Sequence, residues 1–515
     1  MKSIAAFCFA VFSSAAFSFT AVELQTPQGP IVGHKVESDA AISVFKGIPY
    51  AVPPVGEHRW TYAEAAPGWE SPRLAQQFGP NCMQAPYDKS SFFYRPAFPT
   101  SEDCLYLNVW TGAKAGDKRP VMVWIHGGAL TRGGGSTETY DGTALAKKGV
   151  VLITINYRLG VFGYFAHPQL SNENANGVSG NYATSDQVQA LKWVRENISA
   201  FGGDPNNVTI FGESAGSWSV NHLVATPTAR GLFHRAIGQS GAVMGDMAYL
   251  KKSQAGLPSA EDSGQQFGQA IGRPSLSELR RLTAWELLDK SLQQRWRTAA
   301  IVDGHIIPDQ IERLFSRGEQ NAVPMILGFN ADEGTTLGAL ARVPADADSY
   351  KKTIQTRYGN LAAEYLALYP ADNLKKSTLD SFRDGFVTWS MQTWAMHMAK
   401  VNQPVFLYYF SHRPSGPQQQ ELGAYHAAEI RYAFNNVPSK PAYESTMGEI
   451  MSNYWVSFAA VGNPNGVSKA TWQPYTAQQR HYLEFNAETK TGAVAGKDLL
   501  PGVWEFYEKI NRAAE

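Results

Sequence analysis

Residues 208–217 read VTIFGESAGS. An apolar, β-branched run enters Gly212-Glu213-Ser214-Ala215-Gly216, and the chain leaves through SWSVNHLVA, which suits a helix. Gly-x-Ser-x-Gly between a strand and a helix is the pattern of a nucleophile elbow. Its glycines let the two backbones approach through a sharp turn. The serine hydroxyl is thereby lifted to the carboxyl edge of a sheet, where a helix N-terminus offers N–H groups to developing negative charge. The five residues recur by chance in many chains; the flanking elements give them their weight.

Outward from the elbow, further short β-rich runs appear: VMVWI at 121–125, VVLITI at 150–155, RAIGQS at 235–240, MILGF at 325–329 and VFLYYF at 405–410. VMVWI, VVLITI and VTIF are nearly continuous apolar runs, as expected of strands buried on both faces of a parallel sheet. Between them, residues 185–201 place Val188, Leu191, Val194 and Ile198 at helical spacing, with Ser185 or Asp186 as the expected cap. Strands alternating with helices predict an α/β class with a large, mostly parallel central sheet flanked by helices. The segments GPIVGHKV and ISVFKGIPYA, at 29–36 and 42–51, read as antiparallel strands at its start. Residues of about 259–298 and about 345–400 read as helical insertions able to cap a site.

An elbow serine needs a base, and the base needs an orienting carboxylate. In α/β-hydrolases the chain order is serine, acid, histidine. His222 and His234 come too early for that order. His397 sits in an apolar helical pattern. His412 directly follows VFLYYF, and His426 lies in LGAYHAAEIRYAF, beyond a Pro/Gln-rich loop. For the acid, MILGFNADEGTTL offers both Asp332 and Glu333 on a turn after a strand. A second Gly-rich stretch, VMVWIHGGALTRGGGS at 121–136, ends a strand in His126-Gly127-Gly128, where esterases and lipases place an oxyanion loop. No Lys-Ser/Thr follows at phosphate-loop spacing, which argues against nucleotide binding.

Composition narrows the function classes. The 515 residues carry 45 Lys+Arg against 45 Asp+Glu, so no basic surplus exists to hold nucleic acid. Hydrophobic residues make up 44% and charged residues 17%, the balance of a globular protein. The opening MKSIAAFCFAVFSSAAFSFTA has the order of a secretory signal: a lysine, an apolar run, then small residues. Cleavage is expected after Ser18 or Ala21, leaving a mature chain of about 22–515. The apolar run is short and broken by serines, unlike a membrane anchor, and no later stretch reaches the ~20 apolar residues of a span. Export implies a secreted or periplasmic protein. Of three cysteines, Cys8 falls in the signal; Cys82 and Cys104 remain, an even pair expected to form a disulfide worth roughly 3 kcal/mol. They lack the partners of a zinc site, and no metal or organic cofactor is expected.

Taken in order, FKGIPYAVPP, SEDCLYLNVW, VMVWIHGGA, NYRLGVFGYF, GNYATSDQVQALKWVRENISAFGGDPNNVTIFGESAGS, HRAIGQSG, GFNADEG and GAYHAAEI resemble the type-B carboxylesterases. These form the cholinesterase–carboxylesterase branch of the α/β-hydrolase fold, and the resemblance spans essentially the whole mature chain. It implies a serine carboxylesterase that hydrolyses small-molecule carboxylic esters through an acyl-enzyme on Ser214. It selects Glu333 over Asp332 as the acid and His426 as the base. It implies an oxyanion hole of the Gly128, Ala129 and Ala215 N–H groups. Many relatives have glycine where Ala129 stands; the donor survives that change provided φ there is negative. It further implies a Glu102–Arg158 ion pair, the Cys82–Cys104 bridge and a supporting role for Ser240 near the triad. The same site would suit an amidase or thioesterase, and some relatives are non-catalytic binding proteins that have lost a triad member; this chain keeps all three. Candidate substrate-facing residues are Trp218, Phe92, Phe93, Tyr94 and Glu213, with Arg132 a candidate for an acidic or polar acyl group.

Overall fold

The computed structural model describes residues 20–337, 342–466, 470–487 and 492–513. The expected signal segment therefore lies, but for its last two residues, outside the described residues. The strands, in chain order, are β1 (Ala21–Thr26), β2 (Gly29–Val36), β3 (Asp39–Pro49), β4 (Arg73–Leu74), β5 (Asn81–Cys82), β6 (Thr100–Ser101), β7 (Tyr106–Thr111), β8 (Arg119–Ile125), β9 (Val151–Ile155), β10 (Gly203–Glu213), β11 (Arg235–Gln239), β12 (Met325–Asn330), β13 (Val405–Phe410), β14 (His481–Phe485) and β15 (Ala493–Lys497). One 13-stranded sheet runs β1-β2-β3-β7-β9-β8-β10-β11-β12-β13-β14-β15, with β4 beside β2. From β9 through β14 every pairing is parallel. The first four strands in that order and the last are antiparallel to their neighbours. The parallel strands account for the continuous apolar runs. On β8 and β10, Val121, Val123, Ile125, Val208 and Ile210 fill the core on one face, and Met122, Trp124 and Phe211 fill the core on the other.

The helix after β9 differs from expectation at its start. It spans Tyr182–Asn197 and is entered through Asn181, at φ 52 and without a side-chain cap. Ser185 and Asp186 lie inside it, buried, and do not cap it. Asp186 instead faces Arg158, whose Nη2 lies 2.6 Å from Oδ1 and whose Nε and backbone N–H also reach the carboxylate. This corrects the expected Glu102–Arg158 pair. Glu102 takes Arg59 at 2.6 Å, and Arg59 also donates to the Leu282 carbonyl at 2.8 Å. A buried carboxylate needs a buried guanidinium with geometry to match. Cys82 and Cys104 are disulfide-bonded.

Helices fill both stretches read as insertions. Ala260–Ala270, Leu276–Arg280 and Ala284–Gln293 occupy the first, the last two opened by capping boxes at Ser275 and Thr283. The second holds Ala347–Tyr358, Ala362–Leu368, Leu374–Arg383 and Trp389–Lys400, with a π-helical turn at Asp384–Thr388. Among the described residues, no helix is long and apolar enough to cross a membrane.

Candidate active site

At the end of β10 the chain turns through Ser214, at φ 56 and ψ −123, into the helix Ala215–Ala225. That backbone is costly for a non-glycine residue and persists only where its surroundings impose it. Here Ser214 N–H donates to the Gln239 carbonyl of β11 at 2.8 Å, and the Ser214 carbonyl accepts from Trp218 N–H at 3.0 Å. The flanking glycines are needed for space. A Cβ on Gly212 would lie 2.6 Å from the backbone of Gly216, and one on Gly216 would collide with the Ile125 carbonyl. Ser214 itself stays only half-buried, so its hydroxyl is presented to the site.

The two acid candidates divide the work between them. Glu333, fully buried, sets Oε2 2.6 Å from His426 Nδ1 and accepts the Asn330 N–H on Oε1 at 2.8 Å. Asp332 turns the other way and accepts the Ala424 N–H at 2.8 Å, fixing the loop that carries His426. His412 is placed elsewhere, 3.6 Å from Glu444. Among the described residues no hydrogen bond joins Ser214 Oγ to His426. The Nε2 edge lies 3.2 Å from Glu213 Oε1, a contact that the sequence reading missed. Serine–base contacts commonly tighten only once substrate is bound.

Three buried carboxylates crowd this histidine. Glu429, three residues on, accepts from Asn330 Nδ2 at 2.5 Å and from Gln239 Nε2 at 3.0 Å. Its signal was present in GAYHAAEI, one helical turn past His426. Burial opposes the charged imidazolium, yet the Glu213 and Glu333 carboxylates outweigh it and raise the His426 pKa to about 10. Burial raises Glu213 well above the usual carboxylate range; the cationic ring opposes that, and Glu429 and Glu333 reinforce it. One proton held between Glu213 and Nε2 satisfies both tendencies.

The loop after β8 supplies the remaining groups. His126 stacks on Tyr157 with ring centres 4.5 Å apart, and burial lowers its pKa to about 4, so it is a neutral wall. Gly128 has φ 111 and Ala129 φ 55. The condition placed on the change from glycine, a negative φ, is therefore not met at Ala129: the loop enters the left-handed region there, and the Gly128 carbonyl accepts from Thr131 and Arg132 N–H groups to close the turn. Alanine bears that conformation at a cost of roughly 1 kcal/mol, and its N–H remains. Among the described residues, neither the Gly128 nor the Ala129 N–H has an acceptor. Ala215, the first helical residue, has an N–H with no carbonyl one turn earlier to receive it.

Trp218 helps line a cavity of about 770 Å³, whose lining also takes in Leu130 and Ala242. Phe92 packs on Tyr425, the neighbour of His426, with ring centres 4.8 Å apart, and Phe93 packs on Phe92. Tyr94 is exposed. The Arg132 guanidinium lies 5.2 Å over the Tyr87 ring. Ser240, buried, holds φ 57 beside the elbow strand. No group of side chains with metal-binding geometry occurs among the described residues.

Residues 20–499 match the carboxylesterase family model. The chain is 33% identical to the fumonisin B1 esterase of Sphingopyxis macrogoltabida, over 92% of this chain and 87% of that one. It is 34% identical to the para-nitrobenzyl esterase of Bacillus subtilis, over 88% and 93%. The crystal structure of the Geobacillus stearothermophilus carboxylesterase EST55 superposes with a TM-score of 0.78 at 32% identity, covering 96% of this chain and 99% of that one. The chain belongs to the carboxylesterase family, has its α/β-hydrolase fold and is a carboxylic ester hydrolase.

Proposed function

We propose that this carboxylesterase family member works as a serine esterase with Ser214 as nucleophile, His426 as base and Glu333 as the orienting acid. The observation that carries the assignment is the 2.6 Å contact of Glu333 with His426 Nδ1, made beside a serine held at an elbow. Glu333 holds the proton on Nδ1 and leaves Nε2 to act. With the shared proton resting on Glu213, Nε2 is a free base. It takes the Ser214 hydroxyl proton as Oγ bonds to the ester carbonyl carbon, and the carbonyl π electrons move onto oxygen. The N–H groups of Gly128, Ala129 and Ala215 receive that oxyanion. Collapse expels the alcohol, which leaves with the proton from Nε2. Water then adds to the acyl-enzyme by the same route and releases the acid.

The test is hydrolysis of p-nitrophenyl esters from acetate to palmitate by wild type and Ser214→Ala. Loss of about 10⁶ in kcat is expected. A Ser214→Ala protein that keeps wild-type turnover would overturn the assignment. We further propose that the helical stretches of about 259–298 and 345–400 cap the site, and that residues 1–21 direct export to the periplasm or beyond. The Cys82–Cys104 disulfide supports export, since such bonds persist in oxidising compartments. An intact mass ending the signal at Ser18 or Ala21 is the expected result; a cytoplasmic chain retaining Met1 or Lys2 would refute it.

A further inference from the structure

We propose that Arg383 is a positioning residue for the triad: from the insertion between β12 and β13 it holds the turn that presents Glu333 to His426. The inference rests on Glu333 being the orienting acid.

The turn comes first. The chain leaves β12 and reaches Glu333 through Ala331 and Asp332, whose backbone groups are tied to neighbouring elements. Ala331 N–H donates to the Phe410 carbonyl of β13 at 2.9 Å, and Asp332 N–H donates to the Ala424 carbonyl at 3.0 Å. The Asp332 carbonyl accepts from Thr335 N–H at 3.0 Å. The Ala331 carbonyl is served differently. Among the described residues its only donor is the Arg383 guanidinium, whose Nη1 lies 2.9 Å away from a position 52 residues along the chain.

The clamp comes second. Arg383 is 6% exposed and Asp384 1%. Asp384 takes the guanidinium through both oxygens, with Nε at 2.7 Å and Nη2 at 3.0 Å. It is itself held by the Tyr369 hydroxyl at 2.9 Å and the Thr388 hydroxyl at 2.8 Å. Nη1 also reaches Asp380 at 3.3 Å. A two-point pair fixes the plane of the guanidinium, and a charged donor binds a carbonyl more strongly than a neutral one. A pair that served only to hold the insertion together would need Nε and Nη2; Nη1 leaves the insertion and ends on the acid turn. The backbone agrees. A Cβ on Gly334, directly after Glu333, would lie 2.8 Å from the Leu379 carbonyl, so the helix Leu374–Arg383 is seated against this turn. The π-helical turn Asp384–Thr388 starts directly after Arg383. Its extra residue rotates the helix face that follows by roughly 100°. Arg383 thus meets the acid turn while Val387, Met391 and Trp394 pack in the core.

The consequence is at His426. Glu333 Oε2 stands 2.6 Å from Nδ1, and a shift of about 1 Å would carry it out of hydrogen-bond range. Ala331 lies two residues before Glu333, so the anchor on its carbonyl bears directly on that contact.

The experiment is a double-mutant cycle on kcat for p-nitrophenyl acetate, in wild type, Arg383→Met, Glu333→Gln and the combined variant. Removing Arg383 should cost about 30-fold in the wild-type background. It should cost no more than about threefold in Glu333→Gln, where the contact that Arg383 protects is already lost. The ratio of the two costs is then about tenfold. A loss of folded protein lowers both backgrounds alike and cancels in the ratio. A ratio under threefold overturns the proposal. Where Asp384, left without its cation, prevents folding, the cycle is run with Arg383→Met and Asp384→Asn together, which leaves no unpaired charge, and the same ratio decides. Failure of the Glu333 assignment has its own signature: Glu333→Gln alone would keep kcat within tenfold of wild type, and the proposal would fall with it.

Discussion

Two buried histidines flank the serine elbow, and their pKa values move in opposite directions. His426 is 6% exposed and His222 1%, so burial is nearly the same for both. Yet the first is raised to about 10 and the second lowered to about 4. The difference lies in the neighbours. His426 stands among Glu213, Glu333 and Glu429, which outweigh the cost of burying a cation; for His222 burial is the one cause of the shift. One region of the site is built to hold and move a proton. The adjoining region is built to keep a polar group neutral.

The sharpest way to break this contrast is to remove the carboxylate that orients His426. Glu333→Gln keeps the shape but favours the wrong tautomer, and kcat should fall about 10⁴-fold on any ester. A fall of less than tenfold would mean that another carboxylate orients the ring.

The next effect is on stability. A folded-state pKa below the unfolded 6.5 means that the unfolded chain binds the proton more readily. The contribution of His222 is therefore fully present above pH 6.5 and is lost as pH falls through about 4. A shift of that size corresponds to about 3 kcal/mol. His222→Leu should lose less stability than wild type between pH 7 and pH 4 by about that amount, read from urea midpoints. Parallel losses in the two proteins would show that His222 does not titrate in this window. His426 has the opposite sign: its contribution is present below pH 6.5 and lost as pH rises through about 10.

A smaller effect concerns the charge beside Nε2. With Glu213 holding the shared proton while Nε2 is the free base, Glu213→Gln replaces one neutral group by another. The acid limb of kcat/KM should therefore stay within about half a pH unit of wild type. A limb that moves to lower pH by about one unit or more would mean that Glu213 is ionised when the base works. The smallest expected effect is on the loop after β8. Ala129→Gly relieves a left-handed alanine at φ 55 but adds freedom to the unfolded chain, for a net gain below about 1 kcal/mol in thermal unfolding.

Legibility in the sequence followed the range of each interaction. The elbow serine was readable from ten consecutive residues, because the elbow is a local backbone problem solved by glycines at fixed offsets. The parallel strands were readable because burial on both faces leaves a continuous apolar run. The acid was left between Asp332 and Glu333 by the residues themselves. The two point in opposite directions from one turn, and only the position of the 424–426 segment distinguishes them. The helix cap was misread because Ser185 and Asp186 are good capping residues in isolation, and the pull of Arg158 on Asp186 is a tertiary effect.

The sequence by itself determined the α/β class, the elbow, the strand runs and the Cys82–Cys104 pair as a candidate, since each depends on neighbours along the chain or on simple counting. Only the tertiary structure decided which arginine meets which acid, that Glu213 lies against His426, that Ala129 is left-handed, and that the buried His222 ring has no hydrogen-bond partner among the described residues. Those outcomes depend on the field and space created by residues tens to hundreds of positions apart, and no local pattern encodes them.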